Sequence, residues 1–267
     1  MLKQRVITAV ILVVILLTTL LASNPFYWRL IISIALFLGF WEWLRFCQMT
    51  SRPEQIFSYV LFVTLFLFFQ LGLLPISILI IVTCLLWGLC LFFTLTNKVD
   101  FLHRPKIKLL LGMWLLSAAG YLLIELKYLD NGVWWILCCM IAIWAADIGA
   151  YFVGKRLGKT KMAPSISPGK TIEGLLGGLS LVVMIFIPIL FWNFPVMTAF
   201  LLLLTVVITA LLSVGGDLFE SKLKRYVDLK DSSQILPGHG GVLDRVDSLL
   251  VGVPFFMLGL LFLGFIT

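Results

Sequence analysis

The chain contains repeated apolar runs that are long enough to cross a lipid bilayer, for which a helix needs about 20 mainly apolar residues. Its 267 residues are 61% hydrophobic and 12% charged, whereas soluble domains have about 45–50% and 25%. A soluble fold of this composition could not cover itself with polar surface. We therefore predict an all-α polytopic membrane protein with about nine transmembrane helices. The runs are 6–22, 27–45, 56–72, 75–96, 107–126, 133–153, 174–192, 196–216 and 248–266.

The basic residues predict the orientation of these helices, because Lys and Arg concentrate in cytoplasmic connections. With a cytoplasmic N-terminus, all but Arg29 and Lys127 of the 20 Lys and Arg residues fall on the cytoplasmic side. The C-terminus is then outside, and the polar segments 154–172 and 217–247 face the cytoplasm. We expect a multi-pass protein of the inner, cytoplasmic membrane. Its net charge of +7 fits basic loops beside anionic lipid and requires no nucleic acid partner.

No long polar linker divides the chain, so we predict one integral membrane domain over residues 1–267. Residues 1–125 are expected to form scaffold or interface helices, and residues 126–267 the catalytic helices and loops. Near the end of the second run, Glu42 and Arg45 are three residues apart and are predicted to form a local pair. A position at the border of the site is the alternative for these two residues.

Four aspartates at or near membrane depth indicate a function, because an ionised carboxylate at a helix centre costs about 2.5–3.5 kcal/mol. They are Asp147, Asp217, Asp244 and Asp247. The last two are three residues apart and would share a helix face. Carboxylates on one face suit Mg²⁺, which takes hard oxygen ligands. The alternative is structural salt bridges to Arg225 or Arg245.

Residues 154–174 combine glycines, hydroxyls and lysines, the groups that bind polyphosphates. Gly169-Lys170-Thr171 is similar to the end of a P-loop. A P-loop is excluded, because Pro164 stands where that motif needs glycine and no strand is expected before it. The run from Pro168 to Glu173 could still open a helix whose N-terminus faces phosphate.

The second polar segment has glycines at 238, 240 and 241, which allow sharp turns and close approach of the backbone to a ligand. His239 lies among them. It could bind phosphate or a metal ion, or it could hold the loop in place. The residues alone favour the role in the loop.

The segment Ser221 to Asp247 resembles the signature of the phosphatidate cytidylyltransferases (CDP-diacylglycerol synthases). Residues 147–174 are also similar to a second conserved region of that family, with its D-x-x-A-Y and S-P-x-K-T-x-E-G elements. In sequence detail the resemblance covers about the last 120 residues, and the first 125 match only as hydrophobic helices. The signature positions that are met are Ser221, Lys224, Arg225, Lys230, Asp231, Ser233, Leu236, Pro237, His239, Gly240, Gly241, Asp244, Arg245 and Asp247.

This resemblance implies transfer of CMP from CTP to phosphatidic acid, with Mg²⁺ and a second cation as cofactors and a homodimer as the assembly. The expected metal ligands are Asp147, Asp217, Asp244 and Asp247. The residues expected to be catalytic are Lys170, Lys224, Arg225, Lys230, His239 and Arg245. Those expected to bind substrate or phosphate are Ser167, Thr171, Ser221, Gly240 and Gly241.

Three other functions compete with this interpretation. A transporter would also hold carboxylates at membrane depth, but it usually shows repeat symmetry and a polar path to both sides. Here the polar groups lie on one side and toward one end of the chain. A polyprenol or phytol kinase would also use CTP, and the H-G-G-x-x-D-R-x-D element argues against it. A non-catalytic homologue is the least favoured, since every charged position of the signature is intact.

Overall fold

The computed structural model describes residues 2–96 and 104–266, and within them the chain forms nine helices and one small β-hairpin. Each predicted apolar run overlaps one helix. Lys98, which was counted among the cytoplasmic basic residues, lies outside the described residues. The helices are α1 (Leu2–Leu21), α2 (Pro25–Phe46), α3 (Arg52–Gln70), α4 (Ile76–Leu95), α5 (Pro105–Tyr128), α6 (Gly132–Leu157), α7 (Ile172–Asn193), α8 (Val196–Tyr226) and α9 (Leu243–Phe262). The hairpin consists of β1 (Lys161–Ala163) and β2 (Ser167–Thr171).

Seven of the described helices, α3 to α9, are long and apolar enough to cross a membrane. In α1 the apolar stretch is the shorter run Val6–Leu21. The prediction of an all-α polytopic membrane protein is confirmed. The orientation of its termini remains a prediction.

The bundle is organised around two extensive helix pairs, α6 with α7 and α8 with α9, while α5 contacts α2, α3 and α9. Small residues let α6 and α7 approach closely, as expected where lipid provides no hydrophobic force between helices. A side chain on Gly178 of α7 would collide with the carbonyl of Ala146 on α6. These two pairs bring the ends of α6, α7, α8 and α9 together at one end of the bundle.

Three helices extend further into the polar segments than the apolar runs predict. Helix α6 continues to Leu157, α8 continues to Tyr226 rather than ending near 216, and α9 begins at Leu243 rather than 248. In α8 the polar residues Glu220, Lys222 and Lys224 are buried by neighbouring helices, which keeps this extension helical. The expected loop at 154–172 also contains the antiparallel hairpin, which pairs Lys161 with Thr171.

Two lysines that were counted among the cytoplasmic basic residues hold helix ends. The buried Lys108 Nζ donates a hydrogen bond to the Phe46 carbonyl at the end of α2, at 2.6 Å. Lys222 Nζ donates to the Thr94 carbonyl near the end of α4, at 3.1 Å. A positive charge at a helix C-terminus is favourable because the last carbonyls lack intrahelical partners.

Candidate functional site

The predicted aspartates lie on three helices whose polar ends meet. Asp147 is on α6, Asp217 is on α8, and Asp244 and Asp247 are on the first two turns of α9. The three-residue spacing of the last pair is therefore helical, as predicted. Because α8 and α9 pack along each other, their carboxylates face a common region.

Lys170 of the hairpin forms an ion pair with Asp217, with Nζ 2.7 Å from Oδ2. The same ammonium group donates a hydrogen bond to the Val214 carbonyl at 3.1 Å. The Ser221 hydroxyl donates to Asp217 Oδ1 at 3.1 Å. Asp147 lies near enough to interact electrostatically with both Lys170 and Asp217. The structure thus joins the two polar segments that the sequence predicted would share a site.

Asp244 forms the second ion pair, with Lys224 Nζ 2.5 Å from its Oδ1. Its other oxygen accepts hydrogen bonds from the backbone N–H groups of Ser232, at 2.9 Å, and Gly241, at 2.7 Å. The alternative prediction was a structural salt bridge to Arg225 or Arg245. Asp244 does form an ion pair, but within the described ranges its partner is Lys224 and not an arginine. Both arginines are exposed.

Glu220 is the site residue that the sequence analysis missed. Its side chain is buried, with the residue only 4% exposed, and neither oxygen has a hydrogen-bond partner among the described residues. Its Oε1 is 3.4 Å from Lys224 Nζ, and its carboxyl group lies against Asp247. The sequence did contain an indication of this role: Glu220 follows Asp217 by three residues, which places both side chains on one face of a helix.

The site brings together five acidic side chains, at 147, 217, 220, 244 and 247. In the part of the chain that the structure describes, its ion pairs are formed by two ammonium groups, those of Lys170 and Lys224. Buried charge is costly unless it is paired or coordinates a metal. Carboxylate oxygens are also the ligands that suit Mg²⁺. The donor set therefore fits the expected cation.

No ready-made cation site occurs in the ranges 2–96 and 104–266, where no three Asp, Glu, His or Cys side chains converge to hold one ion. Asp244 is engaged by Lys224 and the loop, and Asp217 by Lys170 and Ser221. The assignment of the four aspartates as metal ligands stays a prediction. Binding of a cation would require Lys170 or Lys224 to release a carboxylate.

The run from Pro168 to Glu173, which was predicted to open a helix, does so only from Ile172, where α7 begins with Thr171 as its cap; Pro168 to Thr171 belong to strand β2, although no strand was expected here. The Thr171 hydroxyl oxygen accepts a hydrogen bond from Gly174 N at 3.1 Å, the usual N-cap interaction. Thr171 is only 5% exposed, so its expected contact with phosphate competes with this role. Ser167, at the start of β2, is half-buried.

The signature loop, residues 232–243, contains a tight turn. Leu236 N donates to the Gly240 carbonyl and His239 N to the Leu236 carbonyl, both at 2.9 Å. Gly240 has a φ of +83°, a conformation that glycine adopts without strain. The backbone of His239 helps to form this turn. Its buried Nδ1, however, makes no hydrogen bond to any part of the chain that the structure describes.

Gly241→Ala is expected to reduce activity by at least about tenfold and to destabilise the protein by about 1–3 kcal/mol, the usual range for overpacking. An added Cβ would collide with the Ser232 hydroxyl and the Glu42 carboxylate, which surround Gly241 on a tightly hydrogen-bonded loop. Turnover and thermal unfolding in detergent are the measurements. The matched control is Gly88→Ala on α4, where an added Cβ meets no atom within 4 Å. Equal behaviour of the two variants would contradict the prediction.

The predicted local pair of Glu42 and Arg45 is wrong. Glu42 is fully buried and accepts hydrogen bonds from the signature loop, whereas Arg45 donates to the Ser232 carbonyl and stacks over Trp41. The two side chains sit at the border of the site, which was the alternative. They form no ion pair with each other in the described structure because each has a partner in the loop.

The remaining basic signature residue, Lys230, lines a cavity of about 570 Å³. Trp41, Arg45 and Ser233 also border it. Ligand sites commonly have volumes of about 300–1,000 Å³. Of the basic residues that were predicted to act together, Lys170 and Lys224 pair with the carboxylates, Lys230 lines this cavity, and Arg225 and Arg245 are exposed.

Comparison with known proteins extends the resemblance over the whole chain. The model of the cytidylyltransferase family matches residues 3–263. A phosphatidate cytidylyltransferase of Haemophilus influenzae is 38% identical, over 96% of this chain and 97% of its own length. Those of Pseudomonas aeruginosa and Bacillus subtilis are 37% and 36% identical, over 96% and 95% of each chain. The predicted limit of the resemblance to about the last 120 residues was too narrow, and the chain belongs to the cytidylyltransferase family.

Proposed function

We propose that this protein is a phosphatidate cytidylyltransferase, which converts CTP and phosphatidic acid into CDP-diacylglycerol and pyrophosphate. One observation carries the proposal: the Lys224–Asp244 ion pair joins the two ends of the Ser221 to Asp247 signature, and the loop between them donates hydrogen bonds to Asp244 where membrane helices meet. The relatives that match nearly the whole chain carry the same name. An enzyme that joins a lipid to a nucleotide needs a polar site of this kind beside an apolar bundle.

The reaction forms one phosphorus–oxygen bond and breaks another. An anionic oxygen of the phosphatidate monoester attacks the α-phosphorus of CTP, and the bond from that phosphorus to the bridging oxygen of the β-phosphate breaks. Pyrophosphate leaves with the bonding electrons. Because a phosphate monoester has a second pKa of about 6, the nucleophile is already ionised near neutral pH. A site with little histidine is therefore adequate, since no general base is required.

The main obstacle is repulsion between two polyanions, which positive groups relieve by positioning and electrostatic stabilisation. Lys170 and Lys224 lie within the carboxylate cluster, and their ion pairs hold both ammonium groups there. Arg225, Lys230 and Arg245 are exposed and accessible to a triphosphate or a lipid phosphate. We assign these five residues to phosphate binding and charge neutralisation.

A bound Mg²⁺, with a second cation, would neutralise phosphate charge. We propose Asp217, Glu220 and Asp247 as the residues that hold it. Asp147 lies close to Asp217 and is the remaining candidate. Asp244 serves this group indirectly, because its contacts to Lys224 and the loop fix the start of α9.

We further propose an inner-membrane location with the site on the cytoplasmic side, following the distribution of Lys and Arg. Phosphatidate would enter sideways between helices, so that its acyl chains stay in hydrocarbon. Large apolar side chains on α6 and α7, among them Ile148, Phe152 and Met184, are exposed on the single chain. They suit contact with lipid or with the second subunit of a homodimer.

Purified protein is expected to transfer label from CTP labelled in its α-phosphate into a chloroform-soluble product only when phosphatidic acid and Mg²⁺ are both present. Omitting each in turn gives the controls, and release of pyrophosphate should equal lipid labelling. In a parallel assay with CTP labelled in its γ-phosphate, label that appears in a polyprenol or phytol would indicate a kinase. Substrate flux into vesicles without CTP would indicate a transporter. Either result, or the absence of labelling, would contradict the proposed reaction.

A further inference from the structure

Glu42 is a fully buried carboxylate on α2, in the half of the chain expected to be scaffold. Each of its oxygens lies within hydrogen-bond distance of two donor groups. Oε1 accepts from the Ser233 hydroxyl at 2.5 Å and from Val242 N at 2.9 Å. Oε2 accepts from Leu243 N at 2.7 Å and lies 3.0 Å from the Ser232 hydroxyl. All of these donors belong to the signature loop, about 200 positions further along the chain.

Helix α9 depends on this contact for its first turn. The first N–H groups of a helix have no intrahelical acceptor, and the N-cap residue Val242 has no side chain that can accept a hydrogen bond. Glu42 supplies the acceptors from another helix, and its negative charge is favourable at the helix N-terminus. The turn that it caps carries Asp244, and Asp247 follows one turn later.

The Ser232 hydroxyl connects Glu42 to the carboxylate cluster. Its oxygen lies 3.0 Å from Glu42 Oε2 and 2.9 Å from Asp244 Oδ2. A hydroxyl has one proton to donate, so it serves one carboxylate at a time. Displacement of Glu42 would therefore be transmitted directly to Asp244.

The end of α2, which carries Glu42, is itself held by hydrogen bonds to other parts of the structure. Next to it on α2, the indole Nε1 of Trp43 donates to the Lys108 carbonyl on α5 at 2.9 Å. Lys108 Nζ in turn holds the end of α2 through the Phe46 carbonyl. Arg45 donates to the Ser232 carbonyl from the same end of α2. A loop anchored to such a support keeps one geometry, which a functional site requires.

We propose that Glu42 is a positioning residue of this enzyme, which holds the signature loop and the start of α9 where the cation and phosphate groups bind. The inference rests on the proposed function and deepens it. It also extends the active half of the chain, predicted as residues 126–267, to include the end of α2.

Glu42→Gln is the decisive variant. A glutamine amide has one oxygen, so whichever way it turns, its NH₂ group faces Val242 N or Leu243 N, donor against donor. We expect kcat to fall roughly 10–100-fold and the Mg²⁺ concentration for half-maximal activity to rise, as for residues that orient metal ligands. Hydrogen exchange of the amides in residues 232–243 should become faster. A role confined to folding would change neither the Mg²⁺ dependence nor the kcat of the folded fraction.

The exposed Glu54→Gln, on the first turn of α3, is the matched control and should behave as wild type. Wild-type kcat, Mg²⁺ dependence and exchange in Glu42→Gln would overturn the inference. So would a loss of activity that merely follows the folded fraction. If wild type makes no CDP-diacylglycerol, the proposed reaction fails, while the exchange measurement still tests Glu42.

A second variant covers the case in which Glu42→Gln does not fold. Glu42→Asp keeps the charge and shortens the side chain by one methylene group, so that it no longer reaches all four donors. We expect a folded protein with a smaller loss of kcat and faster exchange in the same loop. Wild-type values for both in Glu42→Asp would also overturn the inference.

Discussion

Asp247→Asn is expected to lower the turnover of CTP by at least about 100-fold, yet to leave the protein as stable as wild type or more stable. Removing one group that stabilises transition-state charge commonly costs a factor of about 10²–10³ in kcat. Asp247 contributes a negative charge beside Asp217 and Glu220, and we assign it to the cation. Asparagine keeps the shape but removes that charge.

The stability of Asp247→Asn follows from the contacts that asparagine can keep. The Oδ1 of Asp247 accepts a hydrogen bond from Ser248 N at 2.7 Å, and its carboxyl group contacts that of Glu220. An asparagine amide can make both contacts. Removing the charge of Asp247 also relieves its repulsion with Asp217. Such an exchange of stability for function is common where an active site holds strained or unpaired groups.

The measurements for Asp247→Asn are turnover with saturating Mg²⁺ and the thermal unfolding midpoint in detergent. Asp130→Asn, an exposed residue between α5 and α6, is the matched control. The assignment of Asp247 to the cation fails if the variant retains more than about a tenth of wild-type turnover. A lowered unfolding midpoint would show instead that the carboxylate is structural.

Asp244→Asn is expected to lose both activity and stability, in contrast to the neighbouring position. Its carboxylate pairs with Lys224 and accepts hydrogen bonds from Ser232 and Gly241. The Lys224 and Asp244 side chains are only 11% and 7% exposed. Breaking a buried ion pair by removing one partner typically costs about 3–5 kcal/mol. An asparagine NH₂ group would face either the ammonium group or the loop N–H groups.

Unfolding of Asp244→Asn should be followed together with the double variant Lys224→Gln/Asp244→Asn. Removal of both charges should recover part of the stability but none of the activity, because the double variant no longer leaves an ammonium group without its main partner. If Asp244→Asn unfolds at the wild-type temperature, the ion pair does not stabilise the start of α9. If the double variant is active, neither residue is needed for phosphate chemistry.

The sequence alone determined where the helices lie and which family motif the chain carries. Both features consist of residues that are close together in the sequence: each apolar run is contiguous, and the signature occupies residues 221–247. The four aspartates could also be identified from the sequence, because charged residues within apolar runs are rare. Helix ends were less well predicted, as in α8, because a polar face remains helical where neighbouring helices cover it.

Only the tertiary structure decided which side chains meet. Three features depend on how separate helices pack: the pairing of Lys170 with Asp217, the contact of the buried Glu220 with Asp247, and the cap that Glu42 provides to α9. Glu42 and Leu243 are 201 positions apart, and no local pattern joins them. The length of an apolar run indicates that a helix lies in the membrane, but it does not indicate which neighbouring helix its polar residues face. That choice is made by close packing and by the need of buried polar groups for partners.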